Sequence, residues 1–252
     1  MSYMTYLIKV IFLPDTASAC LEVNMTKLHQ GQRIVVFGAS GATGRLILEE
    51  LAQLSVSITA VVRPGSEGTI SSFSGIEIAI GSPNDLTFLR QVIKTGDIII
   101  SALGQNRATR SPWSAMKSPT DILESSTRAI MEVADSKQVD RVIYLSAYGV
   151  GSDWRKLPWW MRLVINMSNV KYAYNDHGKA EDIISRHSTA STILKPVMLV
   201  DGSDYCEPIE MKQGASTPAL SKINRKAIAK YIGAAILNDR FPKSSPVELR
   251  GL

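Results

Sequence analysis

A chain of 252 residues, 45% hydrophobic and 20% charged, can bury a sizeable core, which excludes a disordered or fibrous protein. Its net charge of +5 comes from lysines and arginines spread along the chain rather than run together, which argues against a nucleic-acid-binding tract and for attraction of small anions. Two cysteines, Cys20 and Cys206, are too few for a zinc site and too far apart in sequence for a redox pair, as expected of free thiols in a reducing cytoplasm.

Residues 1–30 read as an N-terminal extension, with a single domain expected over 31–252. Met1 to Leu13 is apolar, but Lys9 interrupts it and Pro14-Asp15 ends it, so the run is too short to span a membrane. Ala17-Ser18-Ala19-Cys20 has the small residues of a signal-peptide cleavage region or lipoprotein box, yet no basic segment precedes it. Met25 lies eight residues before Arg33, so residues 1–24 read as outside the fold or as a matter of start-site choice.

From Arg33 the chain alternates strand and helix. Ile34 to Phe37 is a continuous apolar, β-branched run, as a strand covered on both faces requires. Gly38, Gly41 and Gly44 follow at a three-residue period, and Leu46-Ile47-Leu48, Leu51 and Leu54 then carry a helical stripe. Further strands are expected over Ser57 to Val62, Ile76 to Ile80, Asp97 into Gly104, Arg141 to Ser146 and Ser191 to Leu194. Helices are expected over Leu86 to Ile93, capped by Ser82 or Asp85, over Asp121 to Asp135 and over Gly178 to Arg186. Alternation at this spacing predicts an α/β fold, a Rossmann-type doubly wound parallel sheet with helices on both faces.

The glycine stretch carries the first chemistry. Glycines let the backbone turn sharply beside an anion, and the free N–H groups at a helix start point toward it, so Gly38 to Gly44 read as a phosphate cradle. The alternative is a tight strand–helix turn that binds nothing. In such folds the end of the second strand meets the adenosine ribose, where a carboxylate selects NAD and an arginine accommodates the 2′-phosphate of NADP. Arg63 holds that position, with Ser66 after it and no acid before Glu67, so NADP(H) is expected. A solvent-facing arginine at a strand end is the plainer reading.

Several segments together resemble a known family. Gly38-Ala39-Ser40-Gly41-Ala42-Thr43-Gly44 resembles the glycine motif of the atypical short-chain dehydrogenase/reductases, above all their NmrA-like and biliverdin-IXβ-reductase (flavin-reductase)-like branch. Asp97-Ile98-Ile99-Ile100-Ser101-Ala102-Leu103-Gly104 is similar to that branch's fourth strand, whose end contacts the nicotinamide side of the cofactor. Val142-Ile143-Tyr144-Leu145-Ser146-Ala147-Tyr148-Gly149 resembles its fifth strand, which ends in the active-site serine. Lys179-Ala180-Glu181, Thr192-Ile193-Leu194-Lys195-Pro196 and Asp201-Gly202 resemble the helix and strand that follow. The resemblance runs from about Gln32 to the C terminus. It implies NADP(H) bound by Gly38, Ser40, Gly41, Ala42, Thr43, Gly44, Arg63, Ala102, Leu103, Gly104 and Pro196.

Departures from the family pattern are specific. Lys195 replaces the usual arginine before Pro196, Ser82 replaces an acid after the third strand, and Ala227 replaces an aspartate. No tyrosine is followed four residues later by a lysine, so the catalytic pair of ordinary short-chain dehydrogenases is missing. His177 falls where that lysine is expected, similar to the histidine of the biliverdin-reductase-like branch.

Hydride transfer requires the acceptor beside the nicotinamide, water excluded, and a proton for the reduced product. Ser146 is a candidate to orient the acceptor, His177 to supply the proton, and Tyr148 is a third candidate. The competing readings are a strand-end serine bonded to backbone and a partly exposed histidine near a helix start. Tyr172 and Tyr174 read as packing or pocket walls. The segment Trp154 to Met167 holds three of the four tryptophans, with basic residues between them. It reads as an aromatic lid, a buried core helix or a membrane-surface helix, with Trp113 and Met116 as a facing wall. A small substrate-binding region is expected at about 150–177 and 200–222.

The resulting expectation is a cytoplasmic NADPH-dependent oxidoreductase that reduces a carbonyl, quinone, flavin or similar planar conjugated molecule. It would be a monomer or homodimer, without nucleic acid, metal or stable membrane insertion. The alternatives are a non-catalytic NADP(H)-binding redox sensor of the NmrA-like type, and an isomerase or dehydratase on the same fold.

Overall fold

Strand β1 (Arg33–Phe37) sits in the middle of the molecule with Ile34 to Phe37 fully buried. Ile34 and Val36 point into one core and Val35 and Phe37 into the other, as the two-residue period of a strand dictates. The computed structural model describes residues 32–109, 111–202, 207–211, 220–241 and 246–251. The expected extension, both cysteines and much of the expected 200–222 region lie outside the described residues.

Helix α1 (Ala42–Leu51) returns the chain to β2 (Ser57–Val62), and β3 (Ile76–Ile80) pairs outside β2. Helix α2 (Leu86–Val92) then carries the chain to β4 (Ile98–Ser101) on the opposite flank of β1. Next come α3 (Ile122–Lys137), β5 (Arg141–Leu145), α4 (Trp159–Met167), α5 (Val170–Arg186) and β6 (Ser191–Pro196). The short strands β7 (Met198–Val200), β8 (Pro208–Glu210) and β9 (Lys222–Asn224) precede α6 (Arg225–Leu237) and β10 (Val247–Gly251). The main sheet has eight strands in the order β3-β2-β1-β4-β5-β6-β10-β8, parallel except where β8 joins β10, and β7 pairs with β9 separately. This is the expected Rossmann-type sheet, and its strand order reverses between β1 and β4.

Helices α1 and α6 pack on one face with Ile34, Ile47, Leu51 and Ile232, while α2, α3 and α5 cover the other with Phe37, Leu89, Met131 and Ile184. The expected acid cap is Asp85, whose carboxylate accepts from the Thr87 and Phe88 N–H groups at 2.9 and 3.3 Å. At the sheet's amino edge, the Arg33 guanidinium makes two hydrogen bonds to Asp97, at 3.0 and 2.7 Å, and ties β1 to the start of β4.

Two expectations need correction. The helix expected from Gly178 begins eight residues earlier, at Val170, so Gly178 lies inside it and His177 is not near its start. Gly178 gives no steric reason to stop, because its open face meets the Gly151 backbone at ordinary contact distance. The tryptophan-rich segment is a 3₁₀ turn (Gly151–Lys156) followed by α4, which is not a buried core helix: Ile165 is its one buried residue.

Candidate functional site

The turn after β1 is shaped by contacts that only glycine allows. Gly38 has φ +74°, and a Cβ there would lie 2.6 Å from the Ala102 carbonyl oxygen at the end of β4. A Cβ on Gly44 would lie 2.1 Å from the Gly38 carbonyl oxygen, so α1 packs against the turn backbone to backbone. Gly41 closes the turn by donating to the Gly38 carbonyl at 2.9 Å and forms the N-cap of α1. No side chain caps this helix and its first turn holds no acid, unlike α2 with Asp85. Ser40 is half-buried and Gly41 and Ala42 are exposed, so the N–H groups of the first turn open on the crevice between β1 and β4, while Thr43 is buried. The residues therefore fit a pyrophosphate: a positive helix end, a close backbone approach and no competing anion.

Arg63 leaves the carboxyl end of β2, exposed, and its guanidinium makes no hydrogen bond or ion pair among the described residues. Glu67, the acid that could have competed for a ribose, folds back to accept from the Gly65 N–H at 3.0 Å. Ala102, Leu103 and Gly104 run past the glycine turn, with the Ala102 N–H donating to the Phe37 carbonyl at 3.0 Å.

The second cluster is built on β5, α5 and β6. Tyr144 and Ser146 point to the same side of β5, and His177 and Glu181, four residues apart, share one face of α5. Ser146 Oγ donates to Glu181 Oε1 at 2.5 Å. Glu181 Oε2 accepts from Lys195 Nζ at 3.0 Å, and the same ammonium donates to Asp153 Oδ2 at 2.5 Å and to the Val150 carbonyl at 2.9 Å. All three donors of Lys195 are used, and the residue is 1% exposed. Lys156 continues the chain, 2.8 Å from Asp153 and 2.5 Å from Glu248. Burial pushes the Glu181 carboxyl above the ordinary range, outweighing Lys195 and Ser146. For Asp153 burial acts the same way, but Lys156 and Lys195 outweigh it and hold the carboxyl low.

His177 Nδ1 lies 2.8 Å from the Tyr144 hydroxyl, with the two rings edge to face. Burial, aided by the positive charge of Lys195, pushes its pKa from 6.5 down to about 4, so it is neutral at pH 7. Burial raises the Tyr144 phenol well above its ordinary value. Tyr148 is buried in the α1-side core, and its carbonyl accepts from the Tyr174 hydroxyl at 3.2 Å. Pro196 ends β6, and its carbonyl accepts from the Tyr148 N–H at 2.9 Å.

Four residues of this cluster escaped sequence reasoning as functional groups: Asp153, Asp176, Glu181 and Lys195. Asp176 is buried on α5 and accepts from the Leu123 and Glu124 N–H groups that open α3, and from Gln105 in the loop after β4. Lys195 carries the clearest signal, a charge inside the apolar run of β6, which must find buried partners.

A protein-family model described as NAD(P)H-binding matches residues 38–239. The chain belongs to the NAD(P)H-binding family. Among solved structures, this NAD(P)H-binding protein superposes on ChuY, an anaerobillin reductase from Escherichia coli O157:H7, with TM-score 0.69 and 18% identity over 86% of this chain and 96% of that one. It matches a short-chain dehydrogenase/reductase from Veillonella parvula in complex with NADP at TM-score 0.69 and 15% identity, covering 86% and 94%. The oxidoreductase ylbE from Lactococcus lactis follows at TM-score 0.70 and 15% identity, covering 88% and 91%. At such identities these likenesses establish the fold. No curated protein sequence matches. Among the described residues no helix is long and apolar enough to cross a membrane.

Proposed function

We propose that this NAD(P)H-binding protein is a cytoplasmic NADPH-dependent oxidoreductase that reduces a planar conjugated small molecule such as a carbonyl, quinone or flavin. The observation that carries the reading is Ser146 at the carboxyl end of β5, hydrogen-bonded at 2.5 Å to a carboxyl that burial pushes upward. The residues that would hold the cofactor are Gly38 to Gly44 at the pyrophosphate, Arg63 at the 2′-phosphate, and Ala102, Leu103, Gly104 and Pro196 on the nicotinamide side. Bound NADPH supplies the hydride.

The remaining work falls to the chain. Ser146, held by the hydrogen bond it donates to Glu181, orients the acceptor so that the oxygen or nitrogen that gains charge faces the cofactor, and water supplies the proton that this atom takes up. Lys195 pairs with Glu181 and so fixes the group that holds Ser146, and Asp153 and Lys156 hold Lys195 in place. His177 acts as a neutral group: with the Tyr144 phenol donating to Nδ1, its proton sits on Nε2. Tyr148 serves as packing behind the site. Residues 150–177 shape the acceptor region; an open groove of about 630 Å³ walled by Trp154, Ile165, Lys171, Tyr174 and Asn175 lies within this span, with Ser146 and His177 outside its walls.

The test is NADPH oxidation by the purified protein against a panel of quinones, flavins and conjugated carbonyls. Turnover with one of them that falls about a hundredfold in Ser146→Ala supports the reading. Tight NADPH binding without turnover of any acceptor would instead favour the NADP(H)-sensing protein. The missing Tyr–Lys pair is the observation behind that second reading.

A further inference from the structure

Helix α4 is apolar around most of its circumference but covers only a narrow arc of it. Ile165 and Met161 face the protein, whereas Trp159, Trp160, Leu163, Val164 and Met167 form a continuous stripe facing solvent. Trp159 is 71% and Met167 69% exposed, values a large side chain reaches only where nothing packs on it. Beside the stripe lies Trp113, 63% exposed. Its loop is pinned to the end of α4 by Asn169, which donates to the Trp113 and Ser114 carbonyls at 3.2 and 3.0 Å and receives the Pro112 carbonyl on its own N–H at 2.9 Å. The two segments are the connections that leave the carboxyl ends of β4 and β5, so the patch borders the proposed acceptor region.

The charge of these segments is as uneven as their hydropathy. Residues 104–120 and 154–175 contain seven lysines and arginines and no aspartate or glutamate, with Asp121, Asp153 and Asp176 at their borders and one of the seven, Lys156, paired with Asp153 and Glu248. With those seven set aside, the rest of the chain carries 21 basic against 23 acidic residues, so the net positive charge of the protein resides here. Exposed tryptophans on an apolar stripe, with exposed Arg155 and half-buried Arg162 and Lys171 in the same segment, match an anionic lipid–water interface: indole rings suit the headgroup level and cations meet lipid phosphates.

We propose that α4 and the Trp113 loop form a peripheral docking surface for an anionic phospholipid bilayer. The stripe enters the interface, and Arg155 and Lys171 contact headgroups. Docked so, the protein presents its acceptor region to lipid-dissolved molecules; that consequence rests on the reductase reading, while the docking does not.

The experiment mixes the full chain with vesicles of phosphatidylcholine alone or with about one-third phosphatidylglycerol, and follows flotation and tryptophan emission. The expected result is binding to the phosphatidylglycerol vesicles only, with emission shifted to the blue and binding that declines as salt is added. Leu163→Gln combined with Met167→Gln should weaken binding on the order of tenfold to a hundredfold while NADPH affinity, the check on folding, stays unchanged. Three results would overturn the proposal. They are no binding to anionic vesicles at low salt, binding indifferent to the double substitution, and a dimer without lipid affinity that the substitution dissociates. None requires turnover, so an inactive protein that binds vesicles refutes the reductase and not the docking surface.

Discussion

The glycine turn and the Ser146 cluster border the same carboxyl edge of one sheet, yet they are made from different materials. The turn is backbone: its shape follows from φ at Gly38 and from the absence of side chains at Gly38 and Gly44, within seven residues of one another. The cluster is side chain: Ser146, Asp153, Lys156, Glu181, Lys195 and Glu248 come from five elements and hold each other through buried charge. A backbone site tolerates no added atom where the chain approaches itself most closely, as at Gly38 and Gly44, and a buried ionic site tolerates no lost partner. Substitutions should separate the two regions on that basis.

The largest effect is expected at Lys195. Lys195→Met leaves Glu181 and Asp153 buried without their shared cation, and chemical unfolding should show a loss of about 3–5 kcal/mol. Lys195→Arg, which restores the charge, should recover part of it. A second effect concerns pH. Between 6.5 and about 4 the unfolded chain binds a proton at His177 that the folded protein does not. Stability should therefore fall as pH drops through that window, by up to about 1.4 kcal/mol per unit, and His177→Gln should flatten the slope.

On the other side of the comparison, Gly44→Ala drives a methyl against the Gly38 carbonyl and should cost about 1–3 kcal/mol while weakening NADPH binding. Gly41→Ala, whose Cβ would stand 3.1 Å from the same oxygen, should fold nearly as the parent does in a thermal melt. The smallest effect is expected at exposed Arg63. Arg63→Ala should leave stability unchanged and reduce the preference for NADPH over NADH by roughly tenfold to a hundredfold in equilibrium titrations.

The same contrast explains what could be read from the sequence. The turn was legible because its determinants are contiguous: strand, glycines and helix follow each other, and sterics at each glycine are local. The parallel sheet was implied by the alternation of apolar runs, and β2 and β3 keep their expected bounds, whereas the short strands β7 to β9 and the late strand β10 carry no comparable run and were not expected. The ionic cluster was not legible, since Ser146 and Glu181 are 35 residues apart and Lys156 and Glu248 are 92 apart. Lys195 stood out as a lysine where the family resemblance implies arginine, but nothing local named its partners. His177 was picked out by its place in the pattern. Its bond to Tyr144 depends on a helix that starts at Val170, earlier than Gly178 implied.

The division of labour between the regions meets its most direct test in a single-turnover measurement of NADPH oxidation by Ser146→Ala, with cofactor affinity measured on the same sample. Affinity should stay within about twofold of the parent, and hydride transfer should slow about a hundredfold. Transfer at the parent rate, or loss of cofactor binding, would contradict it.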